Sequence, residues 1–259
     1  MQPEHTLGAY LQAIAEGADG LECDVRLTRD GHLVCLHDRR LERTSNGRGR
    51  VSTHTLAQLD ELDFGSWHPG LPESADDLIL DRPVGARTAR ILTLERLLDA
   101  ALEAGRQMRL LVETKHPNRY GPAVEERVVE VLSRYGLDRP GGPVEVTVMS
   151  FSPLAVRRIH RLAPGLPTVM LLEYLPPGLR TGRLPFGCRI GGPGVELLRA
   201  CPELADRLHE RGHQVYVWTV NDAEDLDLML ELAVEGVISD RPGAIRRRLD
   251  ELSRRADKG

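Results

Sequence analysis

The chain has 259 residues, of which 41% are hydrophobic and 28% are charged, and its formal net charge is −5 at pH 7. This composition is typical of a globular protein with a sizeable core, and the acidic balance excludes a general attraction to nucleic acid or to an anionic membrane. An anionic ligand would therefore need local basic groups. Because α/β barrels of about 250 residues form one unit, we expect a single domain.

The four cysteines show no Cys-x-x-Cys spacing, which argues against both a zinc site and a disulfide framework and favours a cytoplasmic protein. No run approaches the roughly 18 apolar residues of a membrane span, so we expect no stable membrane insertion. The residues after Met1 also lack the basic and apolar regions of a secretion signal.

The chain opens on a predicted helix, Thr6 to Glu16, with Thr6 as its N-cap. Predicted strands follow over Asp19–Arg26, Leu33–His37, Met108–Thr114, Val144–Met149, Thr168–Leu172, Gln214–Val220 and Gly236–Ser239. Helices are predicted over Leu94–Ala104, Pro122–Tyr135, Pro153–Leu162, Pro202–Arg211, Ala223–Leu232 and Pro242–Arg255. A turn centred on Asp30-Gly31 joins the first two strands.

Two segments are predicted to be irregular. Glu42 to about Arg87 contains NGRG, FGSW and HPGLP, with one short helical piece over Leu56–Leu62. Glu173 to Gly194 is rich in glycine and proline and reads as a loop with room for one short strand.

Alternating strands and helices predict an α/β fold with parallel strands and right-handed crossovers. The seven predicted strands are one fewer than a barrel of eight βα units requires, and the missing strand would precede residue 1. An open doubly wound sheet is the alternative, although no Gly-rich phosphate loop follows any strand.

Polar side chains recur at the carboxyl ends of three predicted strands, where the chemistry of α/β barrels takes place. Glu22 and Asp24 share one face of the first strand, the second ends at His37, and Glu113 and Lys115 share a face of the third. Three converging carboxylates would repel one another unless a cation neutralised them, and oxygen ligands suit Mg²⁺ or Ca²⁺.

Each of these side chains also has an ordinary explanation. A charged pair on a strand can form a solvated edge, a terminal histidine can be a surface residue, and Glu113 with Lys115 can be an ion pair at the barrel mouth. The repetition of one placement on three strands favours a functional site.

The run GADGLECDVRLTRDGHLVCLHDRRLERTSNGRG, residues 17–49, resembles the amino-terminal core of the glycerophosphodiester phosphodiesterases. It carries E-x-D, a D-G turn, H-D and R-T-x-N-G, and LTLERLL, LLVETK, MSFSP, VWTVN and GVISDRP follow in the family's order. The resemblance implies a TIM (β/α)8-type barrel that lacks its first strand and has a small insert after the H-D strand. The domain would span residues 1–249, and 250–259 would be the end of the last helix and a tail.

The resemblance also implies residue roles. It makes Glu22, Asp24 and Glu113 the ligands of a divalent cation, Mg²⁺ or Ca²⁺. It makes His37 a catalytic histidine and Lys115 a catalytic and substrate-binding residue that contacts the phosphate.

Trp218 lies on the V-W-T-V-N element, where it either lines the substrate pocket at the alcohol end or is a plain core aromatic.

The chain departs from the family's pattern at its beginning. The family's first strand ends in H-R-G, which supplies a second histidine and a phosphate-binding arginine before P-E-N-T; here P-E-H-T starts at Pro3. His5 stands at the asparagine position, and we do not expect it to replace the histidine because the backbone position differs. Either the true start lies upstream, or the protein is shortened and has weak or no activity. We favour the first explanation, since a metal site in an incomplete barrel has no obvious use.

The resemblance therefore predicts a phosphoric diester hydrolase that splits small-molecule glycerophosphodiesters into an alcohol and sn-glycerol 3-phosphate with the help of a metal ion. The alternatives are a related phospholipid phosphodiesterase and a catalytically impaired protein that binds glycerol phosphates. No oligomeric state is predicted.

Overall fold

A computed structural model describes residues 2–65 and 89–256 of the chain. The strands are β1 Gly20–Leu27, β2 Leu33–Cys35, β3 Met108–Thr114, β4 Val144–Ser150, β5 Thr168–Leu172, β6 Ile190–Pro193, β7 Gln214–Val217 and β8 Gly236–Val237. The helices are α1 Leu7–Ala15, α2 Leu56–Asp60, α3 Leu94–Leu102, α4 Ala123–Arg134, α5 Pro153–Leu162, α6 Val195–Ala200, α7 Glu203–His209, α8 Ala223–Glu231 and α9 Pro242–Ala256. The predicted elements are confirmed with ends that differ by a few residues, and Thr6 caps α1 by accepting a hydrogen bond from the backbone N–H of Ala9.

The strands form one curled sheet in the spatial order β2-β1-β3-β4-β5-β6-β7-β8. Every neighbouring pair is parallel except β1 and β2, which form an antiparallel hairpin with Val25 opposite Cys35. The α/β barrel-type prediction is therefore confirmed, but counting Leu33–His37 among the barrel strands was wrong. The two-residue turn at Asp30-Gly31 reverses the chain, so β2 extends the edge of the sheet instead of continuing the parallel series.

The parallel series nevertheless has seven members in the described residues, because β6 supplies a strand in the segment predicted as mainly loop. Its two glycines look like loop residues in the sequence, yet they are needed for packing. A Cβ on Gly192 would lie 2.7 Å from Val169 Cγ1 on β5, which is closer than such atoms approach. β6 is the one short strand for which the sequence left room in this segment, whereas the short helix α6 after it was not predicted.

The alternating side chains of the sheet divide between two cores. Leu21, Cys23 and Val25 of β1 face the surrounding helices and are buried there. The inner side of the sheet is filled by a smaller apolar cluster, to which Leu111 and Trp218 contribute at its margin; its buried members are Met149, Val169, Leu171 and Ile190. At the carboxyl ends of β1 and β3 the inner side carries the polar side chains Glu22, Asp24 and Glu113.

The curled sheet does not close within the described residues. β8 pairs with β7 on one side, and β1 meets β2 only over its last three residues. The two ends are nevertheless linked through α9. Its Gly243 N–H donates to Glu16 Oε2 at 3.0 Å, and Arg246 lies 3.3 Å from Asp19. In the described residues, seven parallel strands therefore form the curled sheet, as expected for a barrel that lacks one strand.

The segment after β2 forms a small structure of its own against the hairpin. A 3-10 turn over Val51–Thr53 and the helix α2 pack around buried Leu41, Leu59 and Phe64. The predicted irregular segment is thus confirmed as far as residue 65. The remainder of it, with the last two residues of FGSW and all of HPGLP, lies outside the described residues.

Three further expectations concern the chain as a whole. None of the helices in the described ranges has the length and apolar character needed to cross a bilayer. All four cysteines are free thiols. The division of the chain at residue 249 stays a prediction, and α9 spans that position.

Candidate active site

Three carboxylates meet at the carboxyl ends of β1 and β3. Glu22 and Asp24 alternate on the inner face of β1, and the parallel register places Asp24 opposite Glu113 on β3. One oxygen of each carboxylate lies within 4.8 Å of the others. Asp24 and Glu113 are 5% and 6% exposed, whereas Glu22 is half-buried. The structure therefore brings together the three residues that the sequence named as metal ligands.

Lys115 follows β3 and lies over the same cluster. Its Nζ is 3.0 Å from Asp24 Oδ1 and 3.0 Å from Glu113 Oε2, and its side chain is 11% exposed. The ion pair that the sequence allowed is thus present. Lys115 therefore places one positive charge directly against two of the three carboxylates.

The pKa values of these groups show that one ammonium does not balance three carboxylates. Burial and the charge of Asp24 raise the pKa of Glu113 to about 7. Burial, together with Asp24 and Glu113, also raises the pKa of Glu22. Burial opposes ionisation of Asp24 too, but the hydrogen bond from His5 and the charge of Lys115 hold its pKa below the usual range. Two of the carboxyl groups therefore retain protons more readily than isolated glutamates.

A hard divalent cation fits this donor set. The oxygens are carboxylate oxygens only, and no described nitrogen or sulfur ligand completes a set suited to zinc. Glu22 accepts no hydrogen bond and forms no ion pair with any residue that the structure describes, although it is half-buried beside two other acids. A cation in addition to the Lys115 ammonium would neutralise this carboxylate and lower its pKa again.

His37 lies just beyond the end of β2, where a chain of charged groups fixes its ring. Its Nδ1 is 2.8 Å from Asp38 Oδ1, and Asp38 Oδ2 accepts from Arg43 Nε at 2.7 Å. Arg43 in turn donates two hydrogen bonds to Glu4, at 2.9 and 2.7 Å. The bond to Asp38 raises the pKa of His37, so more of the imidazole is protonated near neutral pH. The other ring nitrogen, Nε2, forms no hydrogen bond with any residue that the structure describes.

His5 belongs to the site, and sequence reasoning missed it. Its Nε2 lies 2.9 Å from Asp24 Oδ2, its Nδ1 lies 2.7 Å from the Tyr10 hydroxyl, and its side chain is 10% exposed. The backbone at His5 adopts a left-handed φ of 51°, which turns the ring inward immediately before Thr6 caps α1. No pattern in the sequence predicts that turn. The expectation that His5 does not replace the histidine of the H-R-G segment stays a prediction. His5 lies on a loop, whereas the family's histidine lies at the end of a strand.

Arg26 is a second residue that was not singled out, although alternation alone would place it beside Asp24 on the inner face of β1. Its Nε donates to the carbonyl oxygen of His37 at 2.9 Å, which ties the hairpin to the site.

Trp218 follows β7 and is half-buried. Its Nε1 donates to the Gly192 carbonyl at 2.7 Å, and its ring meets Phe151 edge-on at 5.3 Å between centroids. The indole thus packs at the margin of the inner apolar cluster and also forms an aromatic wall with Phe151, which is 39% exposed. Both roles expected for Trp218 remain compatible with this position.

The sequence profile of the glycerophosphoryl diester phosphodiesterase family matches residues 1–244. The chain belongs to this family. It is 45% identical over 256 residues to the probable glycerophosphodiester phosphodiesterase 1 of Mycobacterium tuberculosis, with 96% of this chain and 89% of that protein covered. The resemblance expected from the sequence motifs is therefore confirmed.

Solved structures support the same fold. A glycerophosphoryl diester phosphodiesterase structure from Silicibacter pomeroyi, described as putative, superposes with a TM-score of 0.78 at 25% identity, covering 98% of this chain and 90% of the other. A phosphodiesterase of Oleispira antarctica, solved with its product sn-glycerol-3-phosphate, gives a TM-score of 0.77 at 23% identity, with 96% and 92% covered. At this identity the second likeness shows the fold alone.

Membership of a family of phosphoric diester hydrolases fits the site, in which a lysine and a histidine surround an acidic cluster that could hold a metal ion.

Proposed function

We propose that this protein hydrolyses glycerophosphodiesters to an alcohol and sn-glycerol 3-phosphate with the help of a divalent cation held by Glu22, Asp24 and Glu113. The observation that carries the proposal is the convergence of these three carboxylates within 4.8 Å beneath Lys115. A purely structural ion pair would need one acid for one lysine. Here three carboxyl groups converge, and two of them have raised pKa values, so the cluster suits a cation with a higher charge than one lysine.

Lys115 is the residue that binds the scissile phosphate. Its Nζ lies at the surface of the carboxylate cluster, so it can turn to a non-bridging oxygen and stabilise the negative charge that develops there. The bound cation would supply Lewis-acid polarisation of the same phosphoryl group.

His37 is the residue that donates a proton to the leaving alcohol oxygen. Asp38 holds its Nδ1, so the proton is delivered from Nε2, and the hydrogen bond to Asp38 raises the pKa of His37, which favours the protonated form that a proton donor needs. Trp218 and Phe151 form an apolar wall against which the alcohol portion packs.

A small-molecule glycerophosphodiester is the proposed substrate. The product complex of the Oleispira antarctica phosphodiesterase supports sn-glycerol 3-phosphate as one product, although that protein shares only the fold. The choice between Mg²⁺ and Ca²⁺ and a cytoplasmic location remain predictions from the sequence.

The proposal is tested with the purified chain after chelation and dialysis, with glycerophosphocholine as substrate and Mg²⁺ or Ca²⁺ added back. We expect choline and sn-glycerol 3-phosphate in equal amounts, and only when a cation is present. Glu113→Ala is expected to lose the activity. The control Glu61→Ala, at an exposed position directly after α2, is expected to keep it.

Metal-dependent hydrolysis that survives Glu113→Ala would contradict the assignment of the site. Binding of sn-glycerol 3-phosphate without any hydrolysis would support the alternative, a protein that binds glycerol phosphates but does not turn them over.

A further inference from the structure

A basic pocket lies beside the carboxylate cluster. Its lining includes four arginines, Arg26, Arg39, Arg50 and Arg119, and no acidic residue is among the described residues that line it. The remaining walls come from the 3-10 turn over Val51–Thr53 and from the loop between β3 and α4. Such a concentration of one charge is unexpected in a chain with a net charge of −5.

Strand β1 contributes both to the pocket, through Arg26, and to the carboxylate cluster, through Asp24. Arg26 follows Asp24 by two residues, so both side chains project from the inner face of the strand, about 7 Å apart along it. Arg26 also donates to the carbonyl of His37. Arg26 therefore links the pocket to the strand that carries Asp24 and to the backbone of His37.

The second wall of the pocket follows directly from Lys115. Asn118, Arg119 and Tyr120 lie on the loop after it, and the Tyr120 hydroxyl donates to the Ser52 carbonyl oxygen at 2.7 Å. That bond fixes the β3–α4 loop against the 3-10 turn. Both walls are consequently held in place before any ligand binds, which lowers the ordering cost of binding.

The four guanidinium groups have no carboxylate partner in the part of the chain that the structure describes. The nearby acids are already engaged, since Asp38 is held by Arg43 and His37 and Asp24 by Lys115 and His5. Guanidinium groups bind carboxylates and phosphates through paired hydrogen bonds. The chemistry that would complete this pocket is therefore an anion.

We propose that the pocket binds a carboxylate or phosphate on the alcohol portion of the substrate, so that glycerophosphodiesters whose head group carries such an anionic group are preferred over those whose head group lacks one. The inference rests on the proposed function, because the scissile phosphate must lie at Lys115 for the head group to reach Arg39 and Arg119.

The test compares two substrates that differ by one carboxylate, glycerophosphoserine and glycerophosphoethanolamine. We expect wild type to favour the serine compound by about tenfold in kcat/KM, mostly through KM, because one charged hydrogen-bonding group is gained. The ratio should fall toward one in the double variant Arg39→Gln, Arg119→Gln. Arg48→Gln, an exposed arginine in the same segment but outside the lining, should leave the ratio unchanged.

A second pair of substrates, glycerophosphoglycerol with and without a terminal phosphate, distinguishes a phosphate from a carboxylate preference. Equal kcat/KM values within both pairs, with hydrolysis present, would overturn the inference and leave the proposed function intact. If the chain hydrolyses none of the four compounds, the proposed function fails separately, and calorimetric titration decides the inference. Tighter binding of the compounds with the additional carboxylate or phosphate, lost in the double variant, supports the inference. Equal affinities within each pair contradict the inference.

Discussion

Replacing Glu113 by glutamine should stabilise the metal-free protein at alkaline pH. Burial and the charge of Asp24 raise the pKa of Glu113 from 4.5 to about 7. The folded protein therefore holds this proton to higher pH than the unfolded chain does, and stability is lost as the pH rises between those values. The difference between a pKa of about 7 in the folded protein and 4.5 in the unfolded chain corresponds to about 3 kcal/mol. Full ionisation of Glu113 lowers the stability of the folded protein by this amount.

Glutamine has a similar shape, still accepts a hydrogen bond from Lys115, and has no proton to lose. We therefore expect the free energy of unfolding of Glu113→Gln, relative to wild type in chelator, to increase by about 2 kcal/mol between pH 5 and pH 8. Urea unfolding of both proteins at several pH values measures this difference. The same curves with saturating Mg²⁺ or Ca²⁺ should reverse the order, because a ligand at 100 times its Kd adds about 2.7 kcal/mol only to the protein that binds it.

Glu61→Gln, at an exposed position, is the matched control and should follow wild type at every pH. The reasoning is refuted if Glu113→Gln lowers stability equally at pH 5 and pH 8. That result would mean that Glu113 is a structural partner of Lys115 and not part of an overcharged cation site.

Three further variants test single contacts of the site. Lys115→Met should lower kcat by about 10² or more, because the charge that stabilises the transition state is lost, while the affinity for the cation, measured by calorimetry, is kept or increased. Asp38→Asn removes the negative charge that strengthens the hydrogen bond to His37 Nδ1 and raises the pKa of His37, so the alkaline loss of activity in a pH profile of kcat should begin at lower pH. His5→Ala should lower the free energy of unfolding by about 1 to 2 kcal/mol and raise the pKa of Asp24, since the buried carboxylate loses a hydrogen bond.

Each of these variants has an outcome that contradicts the assigned contact. Weaker cation binding in Lys115→Met would show that the ammonium supports the metal site and does not compete with it. An unchanged pH profile in Asp38→Asn would remove His37 from the proton transfer. The exposed control His160→Ala should leave stability unchanged. Unchanged stability in His5→Ala as well would mean that the bond to Asp24 contributes nothing.

The acidic part of the site was predictable because it depends on local rules. Alternation on β1 places Glu22 and Asp24 on one face, and the carboxyl ends of parallel strands converge, so Glu113 must come near them. The same rule would have found Arg26.

His5 could not be found in this way. Its ring reaches Asp24 through a left-handed turn and a contact between residues 19 positions apart, and neither is encoded in a periodic pattern. The direction of β2 and the existence of β6 also depend on tertiary structure. Gly192 reads as a loop residue until Val169 and Leu171 are seen to leave no room for a Cβ.

The central claim is that three carboxylates hold the cation that hydrolysis requires. Equilibrium binding of Mg²⁺ and Ca²⁺ to chelator-treated protein, measured beside glycerophosphodiester turnover in the same samples, tests it most directly. One ion should bind per chain, turnover should rise in proportion to the bound ion, and Glu22→Gln should lose both. Full turnover in the chelator-treated wild type, or in Glu22→Gln without bound ion, would contradict the claim.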